Sequence, residues 1–139
     1  MEKEFRHFQI KEIDAGGKFL MHPIELKDYI EFPVKRVYYV TYPMAPTGSH
    51  CHKTEEELFV VLRGSCTLVV DRGNGLEEME FKGPLDAAYV PNYVWHHFKD
   101  FSSDTILLAL SSTNYQPDRS DYIEDYEIFL EERKKKVNL

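Results

Sequence analysis

The stretch "TGSHCHKTEEELFVVLRG" (residues 47–64) sets two histidines one residue apart, adds three consecutive glutamates, and runs through five apolar residues to Arg63-Gly64. The apolar run reads as a strand closed by a glycine turn. Side chains alternate across a strand, so His50 and His52 share one side while Cys51 takes the other. Two imidazoles aimed at one place can hold a metal or move protons, since an unperturbed imidazole titrates near about 6.5.

Outward from this stretch the apolar residues come in short segments broken by turn signals, as in an antiparallel β domain. Strands are expected near "FRHFQI", "KFLMHP", "RVYYVTYP", "ELFVVLRG", "SCTLVVDR", "EEMEFK", "DAAYVP", "WHHFKDF" and "TILLALS". The Gly73-Asn74-Gly75 stretch predicts a hairpin, because its residues tolerate positive φ. So many short strands in 139 residues point to a single all-β domain, residues 1–139, of the jelly-roll type. The tail changes period: Tyr122, Ile123, Tyr126, Phe129 and Leu130 recur at helical spacing. Ser120 can cap the start and lysines crowd the end, so a C-terminal α-helix packed on the barrel is predicted.

Composition narrows the function classes. Hydrophobic residues at 42% and charged residues at 29% fit an ordinary globular protein. A net charge of -7, offset only by Lys134-Lys135-Lys136, argues against nucleic-acid binding. No run approaches the roughly 20 apolar residues of a membrane helix. The N-terminal "MEKEFRHFQIKEID" is charged throughout and Cys51 and Cys66 make no disulfide framework, so a cytoplasmic location is expected.

A second signal follows the first. Gly83-Pro84 and Pro91 precede "YVWHH", in which His96 stands five residues beyond Pro91. Two histidines and Glu57 ahead of Gly64, then a histidine after a proline, resemble the two motifs of the cupin superfamily. The resemblance implies a double-stranded β-helix barrel in which His50, His52, Glu57 and His96 converge. Five phrases narrow it: "FPVKRVYYV" (33–40 with the preceding Phe32), "GSHCHK" (48–53), "VLRGSCTLVVD" (61–71), "YVPNYVWHHFKDFSSD" (89–104) and "DYIEDYEIF" (121–129). In this order they are similar to the dTDP-sugar 3,4-ketoisomerases (WxcM-like). Members of that family are dimeric jelly rolls that need no metal, so a homodimer and no cofactor are expected. They move the carbonyl of dTDP-4-keto-6-deoxyglucose from C4 to C3, ahead of transamination in deoxyamino-sugar biosynthesis.

That shift removes the C3 proton beside the carbonyl, passes through an enediolate and returns a proton at C4, which suits paired imidazoles. The resemblance implies His50 as the base at C3 and His52 as the group that orients or reprotonates. Tyr39 would donate to the enediolate oxygen, with Tyr38 as the alternative because strand register is open. Arg36, Lys53, Arg63 and His96 are the expected substrate-binding residues, and one or two of the cations Arg36, Lys53 and Arg63 are expected to meet the diphosphate.

Two positions depart from the family pattern. Thr47 stands where an arginine usually precedes the glycine of "G-x-H-x-H", and Glu57 stands where a neutral amide is usual. Glu57 completes a three-histidine, one-carboxylate set, so the alternative reading is a metal-dependent cupin enzyme using His50, His52, Glu57 and His96. A third reading is a catalytically silent cupin that binds a sugar nucleotide. His97 faces away from His96, and His7 and His22 carry no partner pattern.

Overall fold

The computed structural model describes residues 3–137. Twelve strands and two helices follow one another along the chain: β1 Arg6–Gln9, β2 Ile13–Asp14, β3 Leu20–Met21, α1 Leu26–Tyr29, β4 Arg36–Val40, β5 Cys51–His52, β6 Glu57–Arg63, β7 Ser65–Asp71, β8 Leu76–Lys82, β9 Asp86–Val90, β10 Trp95–Lys99, β11 Ile106–Ser111, β12 Tyr122–Ile123 and α2 Tyr126–Val137. A five-stranded sheet in the order β1-β9-β6-β11-β4 faces a three-stranded sheet, β10-β7-β8, and every pairing is antiparallel. This is the all-β jelly-roll cupin architecture with a C-terminal helix, and all nine strand-forming segments read from the sequence lie on strands.

Alternation explains how the layers separate. On β6 the inward residues Phe59 and Val61 join Leu68, Val70, Phe81, Phe98, Leu107 and Ala109 in a core between the two sheets. The outward residues Leu58 and Val60 pack instead with Ile10, Ile30, Ala87, Tyr89 and Leu110, covered by Tyr29, Phe32 and Val34 of the segment ahead of β4. The β7–β8 hairpin turns where predicted, with Asp71 opposite Leu76 and Gly73 and Gly75 at positive φ. Gly64 is obligatory on two counts: its φ is +78°, and a Cβ there would lie 2.7 Å from the Thr105 Cα.

The tail departs from its sequence reading. Tyr122 and Ile123 form β12 and pair with β5, Tyr122 opposite His52 and Ile123 opposite Cys51. The helix begins only at Tyr126, and its cap is Asp125, whose Oδ1 accepts the Ile128 N–H at 3.1 Å, not Ser120. The helical spacing of Tyr122 and Ile123 was therefore coincidental; pairing with the histidine strand outweighed local periodicity. Phe129 then anchors α2 in a small cluster with Cys51, Trp95 and Ile123. The tail thereby brings Tyr122 beside His52 and into the lining of the histidine cleft.

Candidate active site

The two histidine motifs meet through the backbone. His50 and His96 form an antiparallel bridge, with the His50 N–H donating to the His96 carbonyl at 3.2 Å and the reverse bond at 2.9 Å. Their side chains, with His52 and Glu57, turn into a cleft also lined by Tyr38, Val40, Thr47, Phe59, Phe98, Leu107 and Tyr122. One ligand-capable atom from each of His50, His52, Glu57 and His96 lies within 4.8 Å of the others. The sequence expectation that these residues converge is met.

Each imidazole is oriented by its other nitrogen. His50 Nδ1–H donates to the Gly48 carbonyl at 2.8 Å and His96 Nδ1–H to the Val94 carbonyl at 2.9 Å, so both present Nε2 to the cleft. His52 differs. Its Nδ1 donates to Asp121 Oδ2 at 3.1 Å, and its Nε2 lies 2.9 Å from Glu55 Oε2, 3.2 Å from Glu57 Oε1 and 3.1 Å from His50 Nε2. With carboxylates on both edges, His52 is held as an imidazolium.

The charges follow from these contacts. Burial disfavours charge on His52, but its bonds to Asp121, Glu55 and Glu57 outweigh burial and push it up to about 12. His50 is lowered to about 4, first by burial and then by the neighbouring His52 charge, with Arg119 adding a smaller push. His96 is lowered too, by burial and then by the other two histidines. Burial raises the Glu57 carboxyl, held back by His52 and by Tyr38, whose hydroxyl donates to Glu57 Oε2 at 2.7 Å. Glu55, although buried, is held below the ordinary carboxylate range by His52 and by the hydroxyls of Ser111 and Thr113. A neutral imidazole thus stands 3.1 Å from a charged one.

Register decides between the tyrosines. Arg36, Tyr38 and Val40 of β4 point inward, while Tyr39, opposite Leu108 of β11, points outward and is 69% exposed. The expectation for Tyr39 is corrected: Tyr38 reaches the site. Tyr38→Phe is expected to cost catalysis about 1–3 kcal/mol by leaving Glu57 short of a donor, and Tyr39→Phe to stay within about 0.5 kcal/mol. Steady-state kinetics of both variants on one substrate checks this.

The expected cations fall outside the cleft. Arg36 donates through Nη2 to Glu55 Oε1 at 2.7 Å, and its guanidinium lies near the rings of Tyr38 and Tyr115. It supports Glu55 behind the histidines through Nη2, while its buried Nε has no hydrogen-bond partner among the described residues. Arg63 stands at the far end of β6 from Glu57, exposed and 3.6 Å from Asp104, because six residues of strand carry it roughly 20 Å away. Lys53 is exposed just past β5. Thr47 stitches its loop to β10, taking the Phe98 N–H on Oγ1 at 2.9 Å. His97 points outward and meets Ser49 Oγ at 3.0 Å.

Three residues of the site were missed in the sequence: Glu55, Asp121 and Tyr122. Tyr122 sets its ring 4.9 Å from that of His50 and 4.5 Å from that of His52. Asp121 also accepts the backbone N–H groups of Thr54 and Glu55, at 2.7 and 3.2 Å, pinning the loop after β5. The phrase "DYIEDYEIF" carries the signal for the two tail residues, through its likeness to the family, while its helical spacing points away from their place on a strand.

Comparison with known proteins gives one consistent picture. The family described as "FdtA: WxcM-like, C-terminal" matches residues 2–134. The TDP-4-oxo-6-deoxy-alpha-D-glucose-3,4-oxoisomerase of Aneurinibacillus thermoaerophilus is 40% identical over 131 residues, 93% of this chain and 91% of the relative. Among solved structures, the sugar 3,4-ketoisomerase QdtA of Thermoanaerobacterium thermosaccharolyticum, in complex with TDP, superposes with a TM-score of 0.84 at 30% identity over 98% of each chain. The TDP-quinovose 3,4-ketoisomerase WlaRB of Campylobacter jejuni gives 0.82 at 28% identity, covering 94% of this chain and 99% of its own.

Proposed function

The chain belongs to the FdtA, WxcM-like family, and from that premise we infer that it is a sugar-nucleotide 3,4-ketoisomerase acting on dTDP-4-keto-6-deoxyglucose. One structural observation carries the reading: His50 presents Nε2 to the cleft 3.1 Å from the Nε2 of His52, and three carboxylates hold His52 in place and favour its charged form. His50 Nε2 takes the C3 proton, and the electrons of the C–H bond form a C3–C4 double bond as the C4 oxygen gains charge. His52, the nearest cationic donor, stabilises that oxygen. The C3 hydroxyl proton then passes to the C4 oxygen as the C3 carbonyl forms, and the protonated His50 returns a proton to C4, which completes the isomer and restores the base.

Tyr38 acts on this centre through Glu57. The reading extends to one domain working as a cytoplasmic homodimer. Its support is the open edge of the five-stranded sheet at β4, where Val37 is 57% exposed beside Tyr39. Among the described residues no helix is long and apolar enough to cross a membrane.

A second reading is favoured by one observation, the convergence of four ligand-capable atoms within 4.8 Å. The donor set fits a divalent cation, since the outer nitrogens of the three histidines are already engaged as those of metal ligands are. His50, His52, Glu57 and His96 would hold the ion, which would supply Lewis-acid stabilisation of the enediolate. The test is turnover of dTDP-4-keto-6-deoxyglucose in heavy water, with and without chelator, following deuterium by NMR. Deuterium incorporation with a 3-keto product in chelator is expected. Activity lost with the metal and restored by it would favour the second reading. Binding without exchange under any condition would mark a silent binder.

A further inference from the structure

A sugar nucleotide brings two phosphates, yet none of the residues lining the cleft is a lysine or arginine. The cations expected from the sequence are paired with Glu55 outside the cleft lining, placed at the far end of β6 or left on the outer surface. Another cation does stand against the cleft lining. The Arg119 guanidinium lies over Tyr122, 3.9 Å from the ring centroid, and the same ring meets those of His50 and His52. One aromatic ring therefore separates the guanidinium from the histidine pair. In the substrate, the pyranose ring separates the reacting C3 and C4 from C1, which carries the diphosphate. With the reacting carbons at His50, the diphosphate would lie about one ring away, which is the separation at which Arg119 stands on Tyr122. Resting on the ketoisomerase reading, we propose that Arg119 is the diphosphate-binding cation of this site, the guanidinium clamping phosphate oxygens while Tyr122 carries it.

The local backbone is built to aim that side chain. Arg119 adopts φ +55°, a left-handed conformation that a non-glycine residue keeps only where its surroundings impose it. Its N–H donates to the Gln116 carbonyl, its carbonyl accepts the Tyr122 N–H at 3.0 Å, and Asp118 Oδ1 takes the Ser120 N–H at 3.0 Å. Without substrate the guanidinium donates to Glu124 Oε1 through Nε, at 2.7 Å, and Nη2. Both partners are half exposed, so water screens that pair and its hold is weak. A diphosphate offers more charge and oxygens spaced for the planar fork, and it displaces the carboxylate. The stacked arginine thereby performs the task that an arginine at position 47 would perform, and it frees Thr47 to tie its loop to β10.

The test is calorimetric titration of the full chain with TDP and, separately, with thymidine, using wild type, Arg119→Gln, Arg119→Lys and Lys53→Gln. Arg119→Gln is expected to weaken TDP binding about ten- to a hundredfold, as for loss of a charge-assisted contact, and to leave thymidine binding as it was. Arg119→Lys should recover part of the loss, and KM should rise far more than kcat falls. Unchanged TDP affinity in Arg119→Gln overturns the proposal. So does an equal loss of thymidine binding, which would mark a misplaced Tyr122, or a loss confined to Lys53→Gln. Wild-type protein that neither binds TDP nor turns over the keto sugar overturns the ketoisomerase reading itself, before any variant is compared.

Discussion

Replacing His50 with alanine is expected to lower kcat about 10²- to 10⁴-fold, the range a positioned acid–base group contributes. Deuterium exchange at C3 should fall with it. TDP binding should persist, because the side chain removed makes its hydrogen bonds to Gly48 and His52 and lies on the sugar side of the cleft. The decisive measurement pairs single-turnover exchange by NMR with TDP titration on the same sample. Should His50→Ala exchange C3 deuterium at the wild-type rate, the base lies elsewhere. The nearest other imidazole lone pair is that of His96, 3.8 Å from Glu57, and it becomes the assignment to test next.

Glu55→Ala should be the most destabilising single change in the site, by about 3–5 kcal/mol, the usual cost of removing one partner from a buried ion pair. Glu55 is 4% exposed and joins three strands and the loop after β11. Its Oε1 accepts from Arg36 of β4, from Ser111 of β11 at 2.6 Å and from Thr113, while Oε2 meets His52 of β5. Alanine leaves each of these donors short of its acceptor at once. At roughly 2–4 °C per kcal/mol for a chain of this size, the melting temperature should drop by about 10 °C. Urea unfolding of the wild type, Glu55→Ala and the double variant Glu55→Ala with Arg36→Met measures it. The second substitution should recover part of the loss, because the two groups are coupled. A loss below about 1 kcal/mol in the single variant would show that the network contributes little to stability.

Why one carboxylate was legible in the sequence and its neighbour was not has a physical answer. Glu57 opens β6 with an inward side chain, and period-2 alternation from Phe59 and Val61 finds it. Glu55 precedes the strand, where no period applies, and only the fold brings it against His52 and Arg36. The same limit separates Tyr38 from Tyr39. Either tyrosine satisfies the pattern of β4; the pairing of Tyr39 with Leu108 on β11 decides which one enters the barrel.

The sequence by itself determined the architecture and the heart of the site. Nine strand-forming segments and a hairpin at Gly73-Asn74-Gly75 rest on local alternation and turn chemistry, which the chain carries residue by residue, while the convergence of His50, His52, Glu57 and His96 is implied by the resemblance of their motifs to those of the cupins. Tertiary structure alone decided the rest. Tyr122 and Ile123 left helical spacing to pair with β5, Asp121 and Glu55 closed on His52, and Arg36 paired with Glu55. These outcomes depend on partners far away in sequence. The energy of pairing a buried charge or a strand edge exceeds any local preference, so no window of neighbouring residues contains it.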